Sequence, residues 1–275
     1  MPASPSVQLR ILHRTAYHYD EPVKYSAQAL RLTPRHDGSQ RVLSWGIHAP
    51  GRRIEQVDAH GNLTHLLTVE GPHQDIEIVV SGSVEVAAEG ALLPHDGALS
   101  PLAYLAGTRL TAPDESIAKL AEQHLDKSRP LRDQLYSLAT AVHDRVRYTK
   151  GATSVEDTAA AVLARGEGVC QDQAHLFIAC CRAGGTPARY VSGYLYSGGA
   201  DGGDAASHAW VDVWLDDARG WLGIDVTHLE LAGLCHCRLA VGRDYLDAAP
   251  VRGIRRGGGR EKMDVDVTVS KAADQ

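Results

Sequence analysis

Residues 207–226 constrain this chain more than any other stretch. Over Ser207-His208-Ala209-Trp210-Val211-Asp212-Val213-Trp214-Leu215, His208, Trp210, Asp212 and Trp214 fall on one face. Ala209, Val211, Val213 and Leu215 fall on the other, which is the period of two expected of a strand. Asp216-Asp217-Ala218-Arg219-Gly220 is turn chemistry and Trp221 to Val226 is apolar again, so the segment predicts a β-hairpin. A four-residue loop, Asp216 to Arg219, pairs Trp214 with Trp221 and sets Trp210 opposite Asp225. In that register His208 and Asp225 are diagonal neighbours on one face, with Cα atoms roughly 7–8 Å apart. A slip of one residue would put them on opposite faces. A carboxylate that orients an imidazole is half of a nucleophilic constellation, so the hairpin asks for a nucleophile.

Cys170 supplies the candidate. Gly166-Glu167-Gly168 frees the backbone ahead of it, and Ala174, Phe177, Ile178 and Cys181 repeat at helical spacing behind it. Gly184-Gly185 and Pro187 stop that helix. A thiol in a first helical turn sits near unpaired N–H groups and the positive end of the macrodipole, both of which favour a thiolate. A lone cysteine is more often a small buried apolar residue. The chain order Cys170, His208, Asp225, read as nucleophile, base and orienter, lifts this one above that reading. The Cys170 backbone N–H is the expected oxyanion donor. Asp172 suits the helix dipole, and His175, pointing away from Cys170, is expected to be a buried, hydrogen-bonded support.

Five cysteines, an odd number confined to residues 170–237, make no secreted disulfide framework, and reduced thiols are the default. Cys235-His236-Cys237 lacks a C-x-x-C partner and lies beside Leu234 and Leu239, so it reads as an ordinary strand and no metal is assigned. Neither a GxSxG, HExxH or Walker A motif nor a dinucleotide glycine fingerprint is present, and no cofactor is expected. A formal charge of −6 argues against nucleic-acid or polybasic membrane partners and leaves a peptide or protein amide as the expected one. With no leader pattern and no long apolar run, a cytoplasmic protein is expected.

The remaining sequence predicts two units. Residues 1–105 read as β-rich, with alternation at Leu9, Ile11 and His13 and turn signals at Asp37-Gly38, Pro50-Gly51, His60-Gly61-Asn62 and Gly71-Pro72. The many histidines there fit no metal spacing and are expected to be solvated or hydrogen-bonded. Residues 88–112 read as a linker region. Residues 106–275 carry amphipathic stripes starting near Pro113 and Leu131, then Ser154-Val155-Glu156-Asp157 as a capping box opening a helix from Thr158 to Ala164. Ser197 to Ala206, rich in Gly and Asp, is a plausible lid over a cleft. Arg255 to Arg260 reads as a solvated turn before a last strand, Asp264 to Val269.

At Gly168-Val169-Cys170-Gln171-Asp172 with Ala174-His175, Pro187 to Tyr194, Ser207-His208-Ala209-Trp210 and Gly220-Trp221 through Asp225 and Thr227, the chain resembles the bacterial transglutaminase-like superfamily. His13 to Tyr19, Leu30 to Arg35 and Asp58 to Asn62 resemble that family's β-rich N-terminal region; Val241 to Tyr245 and Pro250 to Gly253 resemble its C-terminal part. The resemblance implies an α+β, papain-like core whose nucleophile opens a helix packed on an antiparallel sheet, preceded by an all-β N-terminal domain. It carries the family's catalytic Cys, His and Asp onto Cys170, His208 and Asp225, and it implies cysteine-dependent acyl transfer on peptide or glutamine-type amides. Hydrolysis is favoured over amine transfer as in a transglutaminase; a non-catalytic peptide-binding or scaffold protein is the contrasting reading. Gln171, Asp172, Trp210 and His228 are assigned substrate, oxyanion or supporting roles. The chain departs from the family in reading Asp225-Val226-Thr227-His228 where relatives often have Asp-Pro-Thr-Asn, and in having Gln173 where an aromatic or His is commoner. His228, just beyond Asp225, is expected to change the polarity of the pocket.

Overall fold

From Leu9 to Tyr19 every odd-numbered side chain is buried or nearly so, while the even ones face outward. The pattern belongs to one long strand, β1 (Ser6–Leu30), in a computed structural model that describes residues 5–87, 92–96, 99–198 and 207–272. It is followed by β2 (Gln40–His48), β3 (Arg52–Val57) and a second 25-residue strand, β4 (Leu63–Ala87). Next come β5 (Leu92–Leu93), α1 (Glu115–His124), α2 (Leu131–Arg145), β6 (Arg147–Tyr148), α3 (Ala159–Arg165), β7 (Glu167–Gly168) and α4 (Cys170–Ala183). The chain then runs through β8 (Ala188–Leu195), β9 (Ser207–Asp216), β10 (Gly220–Asp225), β11 (Glu230–Leu231), β12 (His236–Gly242), α5 (Tyr245–Ala248), β13 (Val251–Gly257) and β14 (Glu261–Lys271).

Two antiparallel sheets result. The first has the order β13-β1-β4-β2, with β14 also on β1 and β3 also on β4. Gly71-Pro72, expected as a turn, lies inside β4. Gly71 has φ +82, the pairing of β1 with β4 shifts between Val23 and Tyr25, and a proline without an N–H is tolerated at such a bulge. On its other edge β1 receives β14 against Leu9–Tyr19 and β13 against Val23–Leu30. The division expected after residue 105 therefore needs correcting, because the sheet begun by the first strand is completed by the last two.

The second sheet, β11-β10-β9-β8-β12 with β5 on β10, forms the core. Helix α4 packs on β8 and β9 and is surrounded by α1, α2 and α3. Its apolar residues are expected on one stripe, yet Leu176, Phe177, Ile178, Ala179, Cys180 and Cys181 are all fully buried, because helices cover the side the sheet does not. Arg182 in its last turn is buried too, donating to the carbonyls of Tyr104, Ala188 and Arg243 and to Thr111 Oγ1. Burial lowers its pKa to about 10, and its position suits the negative end of the helix. Helix α3 is capped by Thr158, which accepts from the Ala161 N–H. The expected capping box makes a preceding turn instead, with the Ser154 N–H donating to Asp157.

The other face of the second sheet meets the first sheet through an apolar cluster, to which Tyr194, Cys237 and Leu239 contribute, and through polar groups. Asn62 pairs with Val241 of β12 as a neighbouring strand would, donating to its carbonyl at 2.7 Å and accepting from its N–H at 2.8 Å. Gln40 does the same with Arg238. Asp212 is fully buried between Arg189 (3.0 Å) and Arg238 (2.7 Å), and Asp96 bridges Arg189 to Arg35. Leu93 and Tyr104 are buried against Trp221, so the segment around residues 88–112 read as a linker is packed where it is described. Among the described residues no helix is long and apolar enough to cross a membrane.

Candidate active site

The hairpin has the expected register from Trp214 inward: Trp221 lies opposite Trp214, Gly223 opposite Asp212 and Ile224 opposite Val211. One residue of slack appears at the turn, where Gly220 faces Asp216 and not Leu215. His208 and Asp225 accordingly share a face, and His208 Nε2 lies 2.7 Å from Asp225 Oδ2. His208 and Cys170 line the same cleft, and the two interact. Burial alone would lower the pKa of the His208 imidazole. The hydrogen bonds to Asp225 and Cys170 outweigh it and raise the pKa to about 10, so the charged form is favoured at neutral pH.

Cys170 is the first residue of α4 and is half-buried, so its own N–H has no intrahelical acceptor. Asp172 holds this helix start in place. Its Oδ2 accepts from the Val169 N–H (2.8 Å) and the Thr153 hydroxyl (2.6 Å), and Gly168 leaves it room, since a Cβ there would sit 2.7 Å from Asp172 Cβ. Burial raises the Asp172 pKa. Gln173 ties the helix to the turn after β10, donating to the Val146 carbonyl and accepting from the Thr227 hydroxyl at 2.7 Å. Its amide donates on one side and accepts on the other, a pair of bonds that a phenyl ring could not make. Gln171 lines the cleft at Cys170.

Asp225 is the most heavily bonded group in the site. Its Oδ1 accepts from the backbone N–H groups of Thr227 and His228, and its Oδ2 faces three imidazoles: His208, His228 Nδ1 at 2.8 Å and His236 Nε2 at 3.0 Å. Burial would raise its pKa, but the imidazole hydrogen bonds hold it far below the ordinary carboxylate range. His228, with its side chain 42% exposed, is raised in pKa by its bond to Asp225. Reading His236 as part of an ordinary strand misses its place beside Asp225. It opens β12, and the sequence carries no local sign that the connection from β11 returns it to the end of β10. Its Nδ1 accepts from the Gly233 N–H, so Nε2 bears the proton and donates to Asp225. His208, Asp225 and His236 offer atoms within 4.8 Å of one another, a spacing that metal ligands also show, and this hydrogen bonding accounts for it.

Trp210 covers the ring of His208 (centroids 6.1 Å apart, 27° between planes) and meets His236 edge-on at 5.1 Å. Gly193 makes room for it, because a Cβ there would collide with the Trp210 ring and the Cys237 carbonyl. Gly193→Ala is expected to cost about 1–3 kcal/mol through overpacking and to lower turnover by tilting the surface behind His208, measured as a melting shift together with kcat.

His175 lies away from Cys170, as expected; it is fully buried, and its Nε2 accepts from the Tyr245 N–H. Burial lowers its pKa to about 3, and lowers that of His13, bonded to Tyr194 and Thr15, to about 4. Both are neutral when folded but titrate near 6.5 when unfolded. The unfolded chain therefore binds more protons below that pH, and stability held above 6.5 is lost as pH falls towards 4. His13 alone accounts for about 3 kcal/mol of that loss. Urea melts at pH 7 and pH 4.5 should differ accordingly, and His13→Gln should flatten the difference. The stretch read as a lid, Ser197 to Ala206, lies outside the described residues from 199 onward.

Comparison with known proteins agrees with this architecture. Residues 9–85 match the bacterial transglutaminase-like N-terminal region, and residues 118–226 match the transglutaminase-like superfamily. An uncharacterized protein of Mycobacterium tuberculosis is 34% identical over 280 residues, covering 92% of this chain and 89% of its own. One from Mycobacterium leprae is 30% identical over 288 residues, covering 97% and 99%. A candidate cysteine protease from Cytophaga hutchinsonii superposes with a TM-score of 0.80 at 20% identity, over 99% of this chain and 93% of that one, a likeness of fold. The chain belongs to the transglutaminase-like superfamily of cysteine-dependent enzymes and carries its bacterial N-terminal region.

Proposed function

We propose that this protein is a cysteine acyl-transfer enzyme that opens peptide or glutamine-type amides through a thioester on Cys170, with water as the usual acceptor. The observation that carries the reading is the line from Cys170 at a helix start, through His208, to the buried Asp225. The Cys170 thiolate attacks the amide carbon, forming a C–S bond and moving the π electrons onto oxygen, where the Cys170 N–H meets them. The intermediate collapses, the C–N bond breaks, and the His208 imidazolium gives its proton to the leaving nitrogen. Neutral His208 then takes a proton from water as it attacks the thioester; the second collapse releases a carboxylic acid and restores the thiolate. Asp225 keeps Nε2 protonated throughout. Half-exposure of Cys170 gives water access to the thioester, which favours hydrolysis over amine transfer.

Glutamine-containing peptides incubated with and without a primary amine, and read by mass spectrometry, separate the outcomes. Cleavage or deamidation that the amine barely alters is expected. Dominant amine incorporation would make the protein a transglutaminase. The absence of any turnover across a broad library would favour a non-catalytic binding protein.

A further inference from the structure

Beside Cys170 and His208 lies a cleft of about 270 Å³, and its far wall belongs to the first sheet. Register explains which residues form that wall. Thr15 pairs with Val265 and Tyr17 with Met263, so all four project from the same face, and Val251 of β13 joins them. Met263 and Val265 are about half exposed there (54% and 49%), apolar side chains held open next to the candidate nucleophile. Among the described residues no Asp, Glu, Lys or Arg lines the cleft; His13, its other imidazole besides His208, is buried and bonded to Tyr194 and Thr15. An adjoining hollow of about 320 Å³ shares Tyr17, Tyr245, Val251 and Met263 with it and continues along the same sheet face to Gln28 and Arg255. The surface is a platform long enough for several residues of chain, with an uncharged seat at the reactive end.

We infer that the N-terminal sheet is the substrate platform of the enzyme: it takes a peptide acyl group and seats an uncharged, bulky apolar side chain on Tyr17, Val251, Met263 and Val265. The inference rests on Cys170 being the nucleophile. A charged side chain in that seat would give up water against Tyr17, Val251, Met263 and Val265, while the charges further along the face, Arg255 and Glu261, already pair with each other, so it would be disfavoured. The seat is assigned to the acyl half, which stays on the thiol while the amine leaves.

Peptidyl vinyl sulfones carrying Leu, Phe, Glu or Lys next to the electrophile test this, with the rate of adduct formation at Cys170 read by intact mass and iodoacetamide as the small reagent. The Leu and Phe probes are expected to react at least about 30-fold faster than the Glu and Lys probes. Val265→Lys should raise the Glu-to-Leu rate ratio, whereas Leu12→Lys, on the exposed opposite face of β1, should leave that ratio unchanged. Equal rates for all four probes while iodoacetamide labels Cys170 briskly, or a ratio that Val265→Lys does not move, would overturn the platform and leave the nucleophile standing. Sluggish labelling of Cys170 by iodoacetamide itself would remove the nucleophile, and the platform with it.

Discussion

Replacing Asp225 with asparagine is expected to cut kcat roughly a thousand- to ten-thousand-fold while the protein still folds, by analogy with the loss when a triad carboxylate becomes an amide. The reason lies in the donors around it. Two backbone N–H groups meet one oxygen and three imidazoles meet the other, and the His236 Nε2 proton is fixed by Gly233. An amide offers one acceptor and one donor, so either orientation sets an NH2 against N–H groups. If the NH2 faces His208, that ring turns its lone pair to the new amide and presents the wrong tautomer to Cys170. The folded fraction is followed by circular dichroism and kcat by peptide turnover. A variant that folds normally and keeps more than a tenth of the activity would be inconsistent with Asp225 orienting His208.

Asp212→Ala is expected to be the most destabilising single change at the junction of the two sheets, costing about 3–5 kcal/mol. Asp212 is fully buried against Arg189 and Arg238, whose guanidinium groups also lie over Trp221 (4.2 Å) and Trp210 (5.5 Å). Without it Arg189 keeps Asp96, but Arg238 is left with Asp37 at 3.6 Å, and a cation is stranded in the interior. Thermal melting should fall by on the order of 10 °C. Because Arg238 and Trp210 stand behind His208, activity should weaken even where the chain is folded.

The hairpin could be read from the sequence because its register has local causes: strict alternation, a turn of fixed length and a Trp214–Trp221 pair. His208 and Asp225 inherit their meeting from those causes, and the glycines before Cys170 and the apolar repeat after it mark the helix start where that residue lies. His236 could not be read in this way. It reaches Asp225 through sheet order and a connection, neither of which leaves a periodic trace. The same holds for β13 and β14, whose pairing with β1 spans nearly the whole chain. Gly71-Pro72 resembles a turn because the same residues serve turns and bulges; only the partner strand decides between them. Asn62 and Gln40 resemble loop polarity, and their use as substitutes for strand backbone against β12 appears only once the two sheets are apposed.

The central claim, a thioester on Cys170, is tested most directly by rapid quench of a turning-over peptide substrate followed by intact-mass analysis. A transient adduct of acyl mass mapped to Cys170 is expected, released by hydroxylamine and absent from Cys170→Ala, which should have no turnover. The thiols of Cys180, Cys181 and Cys237, which burial pushes up in pKa, should stay unmodified. Turnover that persists in Cys170→Ala, or an adduct on any other residue, would contradict it.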